Sequence, residues 1–332
     1  MQETGAQEKS LQETGVQEKG LQETVGRGLE QRERKAKNAR VSSGDVWRYV
    51  ALVVLALVAL APIFVMLATS LKLPVEIQSR VPRWVFMPTV SNYTEVITTY
   101  RMIPYLVSSL VIALTSTVLT LLTAGMAAFA LARMRFPGRG LIAQTTLLIR
   151  MIPPAVIAVA VIGFWISWGI GDAVEGVRFT LPNGLGRGDL FDGSQLGLML
   201  FYTALNLPFS VWLLFGFIQQ IPVELAEAAI MDGATLMGVL FRVIFPLMGA
   251  GFAVSAIFTF RIAWNEFILA LFLTSRYTKT LPVFASEFIR DDGVLWGQMM
   301  AVGSLIAIPP LLLTFFAAKQ IIQGMTAGAV KG

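Results

Sequence analysis

Six long apolar runs follow a polar amino-terminal stretch, and polar segments separate them. The runs are Arg48–Leu71, Tyr105–Leu131, Leu141–Trp168, Leu196–Ile218, Leu247–Leu273 and Met299–Ile322. At 1.5 Å per helical residue, each is long enough to cross a hydrocarbon layer of about 30 Å. The runs are continuous, not alternating, so a strand barrel is rejected. The pattern predicts an all-α polytopic membrane protein with six transmembrane helices over residues 47–332. Residues 1–46 are nearly free of large apolar side chains. They hold a ten-residue repeat, Gln2-Glu-Thr-Gly-Ala-Gln-Glu-Lys-Ser-Leu11, then Gln12 to Leu21, then a decayed copy from Gln22. One Leu per unit builds no core, so a disordered, basic cytoplasmic tail is expected. No secretory signal fits, because the first apolar run starts late and is long.

Composition agrees with lipid as the solvent. Of the 332 residues, 55% are hydrophobic and only 14% charged, where a soluble domain carries roughly a quarter. Cysteine and histidine are both absent. Disulfides, imidazole or thiolate metal sites and His-dependent triads are excluded with them. The formal charge of +5 reads as membrane orientation, not as a nucleic-acid surface. With the amino terminus inside, inner segments hold 15 Lys and Arg against 9 in the outer loops. The cluster Arg32, Arg34, Lys35, Lys37 and Arg40, just before the first run, carries most weight. Both termini are then cytoplasmic, with lipid around the spans.

The outer segments differ from one another. Residues 74–104 are rich in Pro and aromatics, and residues 169–195 are rich in glycine and read as a flexible loop. The inner segment Ile221–Pro246 is more regular. Pro222 can open a helix at its first turn. Glu224 and Glu227 then sit where free N–H groups favour acids. Leu225, Ala226, Ala229 and Ile230 give a small apolar face. Gly233 permits the left-handed turn that ends this helix, and a second short helix runs to Pro246. The result is a helix–turn–helix along the inner membrane face, with small residues that allow another surface to approach.

Glu227-Ala228-Ala229, Gly233 four positions after Ala229, and Val243-Ile244-Phe245-Pro246 resemble the EAA loop of binding-protein-dependent ABC importer permeases, E-A-A-x3-G-x9-I-x-L-P. Val243 and Phe245 replace one apolar residue by another. The resemblance covers most of residues 47–332 and is greatest to MalG-like carbohydrate permeases. It extends to Pro74-Val-Glu-Ile, Pro82-Arg-Trp, Asn92-Tyr93, Arg150-Met-Ile-Pro-Pro154, Leu205-Asn-Leu-Pro-Phe-Ser210, Ala263-Trp-Asn-Glu-Phe267 and Thr326-Ala-Gly-Ala-Val-Lys-Gly332. The repetitive tail and the glycine-rich loop depart from the family pattern. The resemblance implies a MetI-like ABC permease fold in a bacterial or archaeal inner (plasma) membrane. It implies as partners two cytoplasmic ATPase subunits, a second and related permease, and an extracytoplasmic solute-binding protein. No G-x-x-x-x-G-K-[ST] loop occurs in the chain. No cofactor or metal is therefore expected here, ATP and Mg being held by the ATPase subunits, and the chain is no enzyme by itself. Glu227, Ala228, Ala229, Asp232, Gly233 and Pro246 are the implied coupling residues.

Polar groups inside the spans are candidates for the pathway. Tyr202, Thr203, Asn206 and Ser210 share one helical face, and Arg261, Trp264 and Asn265 another, while Glu266 points elsewhere. Amides and hydroxyls beside rings suit a sugar or polyol, although the same groups can also glue helices together. Arg150 with Pro153 and Pro154 suggests a kinked gating element, and Pro309-Pro310 a second kink. Ser109, Ser116, Thr120 and Thr123 form a packing stripe. The alternative is a self-sufficient secondary transporter or channel for a small polar solute. It lacks an ion-coupling acid in mid-span, since Glu266 lies near the outer end.

Overall fold

The computed structural model describes residues 43–81, 83–149, 151–167, 193–274 and 278–316. The tail repeats, Arg150, most of the glycine-rich loop and the terminal Thr326–Gly332 motif lie outside them. Two compact units divide the chain, Met1–Phe64 and Val65–Gly332. Helix α1 (Ser43–Ser70) is almost wholly apolar after Arg48, and its side chains from Val46 to Phe64 are exposed.

Three helices make the frame of the second unit: α4 (Ile103–Arg133), α7 (Gly193–Ile218) and α11 (Gly249–Asn265) pack on one another. Short helices α2 (Pro74–Ile77) and α3 (Ser91–Thr98) precede α4, and α14 (Trp296–Phe316) is the last described helix. Among the described residues four helices are long and apolar enough to cross a membrane, Val46–Ser70, Ile103–Arg133, Gln195–Ile218 and Trp296–Phe316. A fifth crossing follows if Leu236–Leu247 and Gly249–Asn265, which meet at 79°, are counted together.

Two apolar clusters fill the interior. The first joins Ile112 and Ala113 of α4, Leu198 and Tyr202 of α7, Phe260 and Trp264 of α11, and Ala301 of α14. The second joins Ala124 and Ala128 of α4, Leu214 and Ile218 of α7, and Ala226, Val239, Ile244 and Met248. Early residues of α4 and α7 thus meet in one cluster and late residues in the other, so these two helices run parallel. Helix α11 starts beside the second cluster and ends in the first, antiparallel to both. The packing stripe on α4 is buried at Ser109, Ser116 and Thr120. Small side chains there allow close approach, as is usual between helices in lipid.

Parallel neighbours require a return path, and the third apolar run supplies it in two pieces. Leu131 belongs to the second cluster and Ala158 to the first. The path between the clusters is made by α5 (Arg139–Ile149) and α6 (Pro154–Ser167), of 11 and 14 residues. Together they rise about 37 Å, while neither spans alone. The single helix expected over Leu141–Trp168 is thus corrected to a broken one. Pro153 and Pro154 offer no N–H to the preceding turn, and Pro154 is tolerated as the first residue of the new helix.

The run Leu247–Leu273 is also broken. Helix α11 ends at Asn265, Glu266 and Phe267 leave the helical register, and α12 (Ile268–Leu273) resumes. Near the first cluster the chain adds α13 (Leu281–Ser286) and one small antiparallel ladder, Ile289↔Val294 and Arg290↔Gly293. Among the described residues the fold is all-α apart from that hairpin. At the same end Asn92 is buried, and its Nδ2 donates to the carbonyls of Ser70 and Lys72, both at 2.8 Å. Gly297 makes room for it: a Cβ there would lie 2.5 Å from Asn92 Oδ1.

Candidate functional site

The 221–246 loop folds as the sequence predicts in outline, with corrections at its ends. Pro222 caps helix α8 (Val223–Met231) from outside, with ψ 135°, and does not occupy its first turn. Glu224 lies in that first turn. Asp232 ends the helix, its N–H reaching Ala228 C=O at 3.0 Å. Gly233 follows with φ +87°, a conformation that costs side-chain-bearing residues about 1–2 kcal/mol. No atom lies within 4 Å of a Cβ built there, so backbone freedom and not space selects glycine. Thr235 then caps α9 (Leu236–Val239), its Oγ1 accepting the Gly238 N–H at 3.2 Å.

The second helix does not stop at Pro246. It widens into a π turn over Leu240–Ile244, where the Phe245 N–H reaches Leu240 C=O, and ends in α10 (Phe245–Leu247). Pro246 has no N–H to return to Arg242, and the wider turn precedes that gap. One side of the loop is anchored: Ala226, Val239, Leu240 and Ile244 are buried in the second cluster, with Ala229 half-buried against it. The other side is open. Glu227, Ala228, Asp232 and Gly233 are exposed, and Met231 and Met237 stand out at 86% and 61% exposure. Methionines at such a surface adapt to a partner's shape. Arg133, the last residue of α4, holds the base of the loop. Its Nη2 donates to Ile218 C=O at 3.0 Å and also to Ile221 C=O.

The polar residues of the spans divide into two sets. Tyr202, Asn206 and Ser210 are all buried, as one shared face requires, yet each is satisfied within the protein. Tyr202 Oη donates to Glu266 Oε2 at 2.6 Å, Asn206 Nδ2 donates to Tyr202 C=O at 2.8 Å, and Ser210 Oγ meets Thr259 Oγ1 at 3.1 Å. Glu266, which helical spacing sets apart from the Arg261 face, thus closes on this group. It also accepts the N–H groups of Leu269 and Ala270 at 3.0 and 3.2 Å, capping α12 across the break.

On α11 the structure separates three residues that helical spacing grouped. Arg261 and Asn265 are exposed, Asn265 Nδ2 donates to Arg261 C=O at 2.8 Å, and the Arg261 guanidinium lies 6.0 Å from the Phe258 ring. Trp264 instead is buried and its Nε1 donates to Ile306 C=O at 2.9 Å. The reason is in α14: Pro310, four residues on, has no N–H for that carbonyl. In lipid a carbonyl freed by proline must find another donor, and the indole supplies it. Pro153 is exposed, and Pro154 opens α6. Among the described residues no group of three or more acidic side chains could hold a metal ion.

Residues 121–327 match the family of binding-protein-dependent transport system inner membrane components. The chain belongs to that family. Among curated relatives of this inner membrane component is the diacetylchitobiose uptake system permease protein DasC of Streptomyces coelicolor. It is 34% identical over 293 residues, covering 87% of this chain and 98% of the relative. The trehalose/maltose transport system permease protein MalG of Thermococcus litoralis is 32% identical over 251 residues, 74% of this chain and 83% of the relative. The sulfoquinovosyl glycerol transport system permease protein SmoH of Agrobacterium fabrum is 31% identical over 292 residues, 87% and 95%. The fold matches the crystal structure of a bacterial ABC transporter involved in the import of the acidic polysaccharide alginate. The TM-score is 0.64 with 18% identity, over 84% of this chain and 98% of that one. The inner membrane component is thus a MalG-like permease of the sugar ABC importer family, a membrane protein whose relatives are permease subunits.

Two residues of this inner membrane component escaped the sequence reading. Arg133 enters the sequence pattern only as one of the counted basic charges, and nothing in the sequence pairs it with carbonyls 85 and 88 positions later. Glu266 stands off the Arg261 face by helical spacing, and nothing in that spacing pairs it with Tyr202 on another helix. The extended φ and ψ of Glu266, −68° and 133°, turn its carboxylate back towards Tyr202.

Proposed function

We propose that the chain is one membrane subunit of an ATP-driven importer for a carbohydrate or polyol, and that its 222–246 loop docks into two cytoplasmic ATPase subunits. The observation that carries this is the two-sided loop: one face buried between α4, α7 and α11, the other presenting Glu227, Ala228, Met231, Asp232 and Gly233. A partner that grips the open face moves the spans through the buried one. ATP then shifts the equilibrium between two states by contacting the loop differently in each. Both termini are cytoplasmic in this reading, which sets the second cluster at the inner side and the first at the outer. A second, related permease completes the pore, and an extracytoplasmic binding protein delivers the solute. The exposed pair Arg261 and Asn265 faces the pathway, while Tyr202, Asn206, Ser210 and Trp264 hold its wall. Diacetylchitobiose, trehalose and maltose in the relatives' names support the carbohydrate class.

The test is a mild-detergent pull-down of tagged protein from its native membrane, followed by mass spectrometry. An ATPase with a phosphate loop is expected in the wild-type and Gly233→Asn fractions, since Asn tolerates the left-handed turn. It is expected to be lost from Gly233→Val, with folding retained. A chain that purifies alone, folded, and transports without ATP overturns the reading in favour of a secondary transporter.

A further inference from the structure

The end of α4 is tied to the root of the loop by one side chain. Arg133 closes α4, and its Nη2 reaches two carbonyls, Ile218 at the end of α7 and Ile221 just before Pro222. Ile218 C=O also takes the Ile221 N–H at 3.2 Å, so the guanidinium bridges a closed turn. The final carbonyls of a helix lack intrahelical donors, and a planar guanidinium fills them with fixed directionality. The surrounding contacts are of another kind. Ala124, Ala128 and Leu131 meet Leu214, Ile218 and Ala226 through small or aliphatic surfaces, which resist separation but permit sliding.

We propose that Arg133 is a positioning residue that locks the root of the 222–246 loop to α4, so that the loop, α7 and α4 move as one body. Parallel helices make this useful, because a push on the loop then displaces both late ends together. The proposal rests on the coupling role of the loop, and its own readout is independent of that role.

The chain has no cysteine, so spin labels can be placed without background. Leu122 on α4 and Leu236 on α9 are exposed, and neither belongs to the docking face named above. In the purified full-length importer complex, Leu122→Cys and Leu236→Cys carry nitroxides, and their separation is read by double electron–electron resonance. A narrow distribution is expected without nucleotide, and the same one with ATP and vanadate. Arg133→Met is expected to broaden the nucleotide-free distribution at least about twofold, on the scale of a released local joint. Arg133→Lys, which keeps a point donor, is expected to lie between. A wild-type width in Arg133→Met overturns the proposal. If that variant does not fold, Arg133→Lys decides, and a width equal to wild type overturns it. Absence of any ATPase from the complex defeats the coupling reading, whereas the nucleotide-free width still decides the lock.

Discussion

Trp264→Phe removes one hydrogen bond and keeps an aromatic ring. In the native structure Trp264 is 1% exposed and stacks on Phe260 at 5.5 Å, and its indole serves Ile306 C=O. Without the N–H that carbonyl has no helical donor, since position 310 is proline. A buried group left unpaired costs about 1–3 kcal/mol, and interhelical bonds measured in membranes reach about 1.7. A loss of about 1–2 kcal/mol is therefore expected, a factor of roughly 5–30 in the folded-to-unfolded ratio. Pro310→Ala returns a backbone N–H to the same carbonyl. In that background Trp264→Phe should cost about 1 kcal/mol less, because the indole is no longer the sole donor. Equilibrium unfolding of the four variants in mixed maltoside–dodecyl sulfate micelles measures both numbers, and ring-size effects cancel in the cycle. An equal cost in the two backgrounds would refute the argument that the indole replaces the missing N–H.

Gly297→Ala puts a methyl 2.5 Å from Asn92 Oδ1, and Asn92 is held by two hydrogen bonds. Overpacking of about 1–3 kcal/mol should lower the detergent melting temperature, and an unaltered melt would count against this close approach. Glu266→Ala takes the acceptor from Leu269, Ala270 and Tyr202. It should destabilise by about 1–3 kcal/mol and speed hydrogen exchange over residues 268–273. Tyr202→Phe should cost about 1 kcal/mol alone and almost nothing in the Glu266→Ala background, where a full additional cost would disprove the shared acceptor.

Much of the architecture was legible because lipid imposes long apolar runs. The run Tyr105–Leu131 becomes Ile103–Arg133, and Leu196–Ile218 becomes Gly193–Ile218. The positive φ of Gly233 was legible too, from glycine after an amphipathic stretch. Breaks inside the apolar runs were harder. Hydropathy is blind to backbone register, so Leu247–Leu273 reads as one span although Glu266 and Phe267 interrupt it. The tandem prolines at the start of α6 signal a kink, where the chain makes a full break. Long-range pairs were the least visible. Trp264 was grouped with Arg261 and Asn265 by angle alone, and its true partner depends on a proline in another helix. Likewise, Arg133 as a clamp depends on where α7 ends.

The parallel course of α4 and α7 has a consequence for biosynthesis. Arg133 and Ile218 lie 85 positions apart, so at about 5–20 residues per second α4 waits roughly 4–17 s for the neighbour that will bury its polar stripe. A hydroxyl left bare in hydrocarbon for that time would be a burden. The hydroxyls in the middle of α4 instead bond the backbone of their own helix: Thr117 to Ala113 C=O at 2.6 Å, Thr120 to Ser116 C=O at 2.7 Å, Ser116 to Ala113 C=O at 3.2 Å. Ser108 and Ser109, near its start, meet Thr278 C=O and the Leu281 N–H of a much later segment. The middle of the helix thus enters the bilayer already satisfied, and only its first turns wait for distant partners.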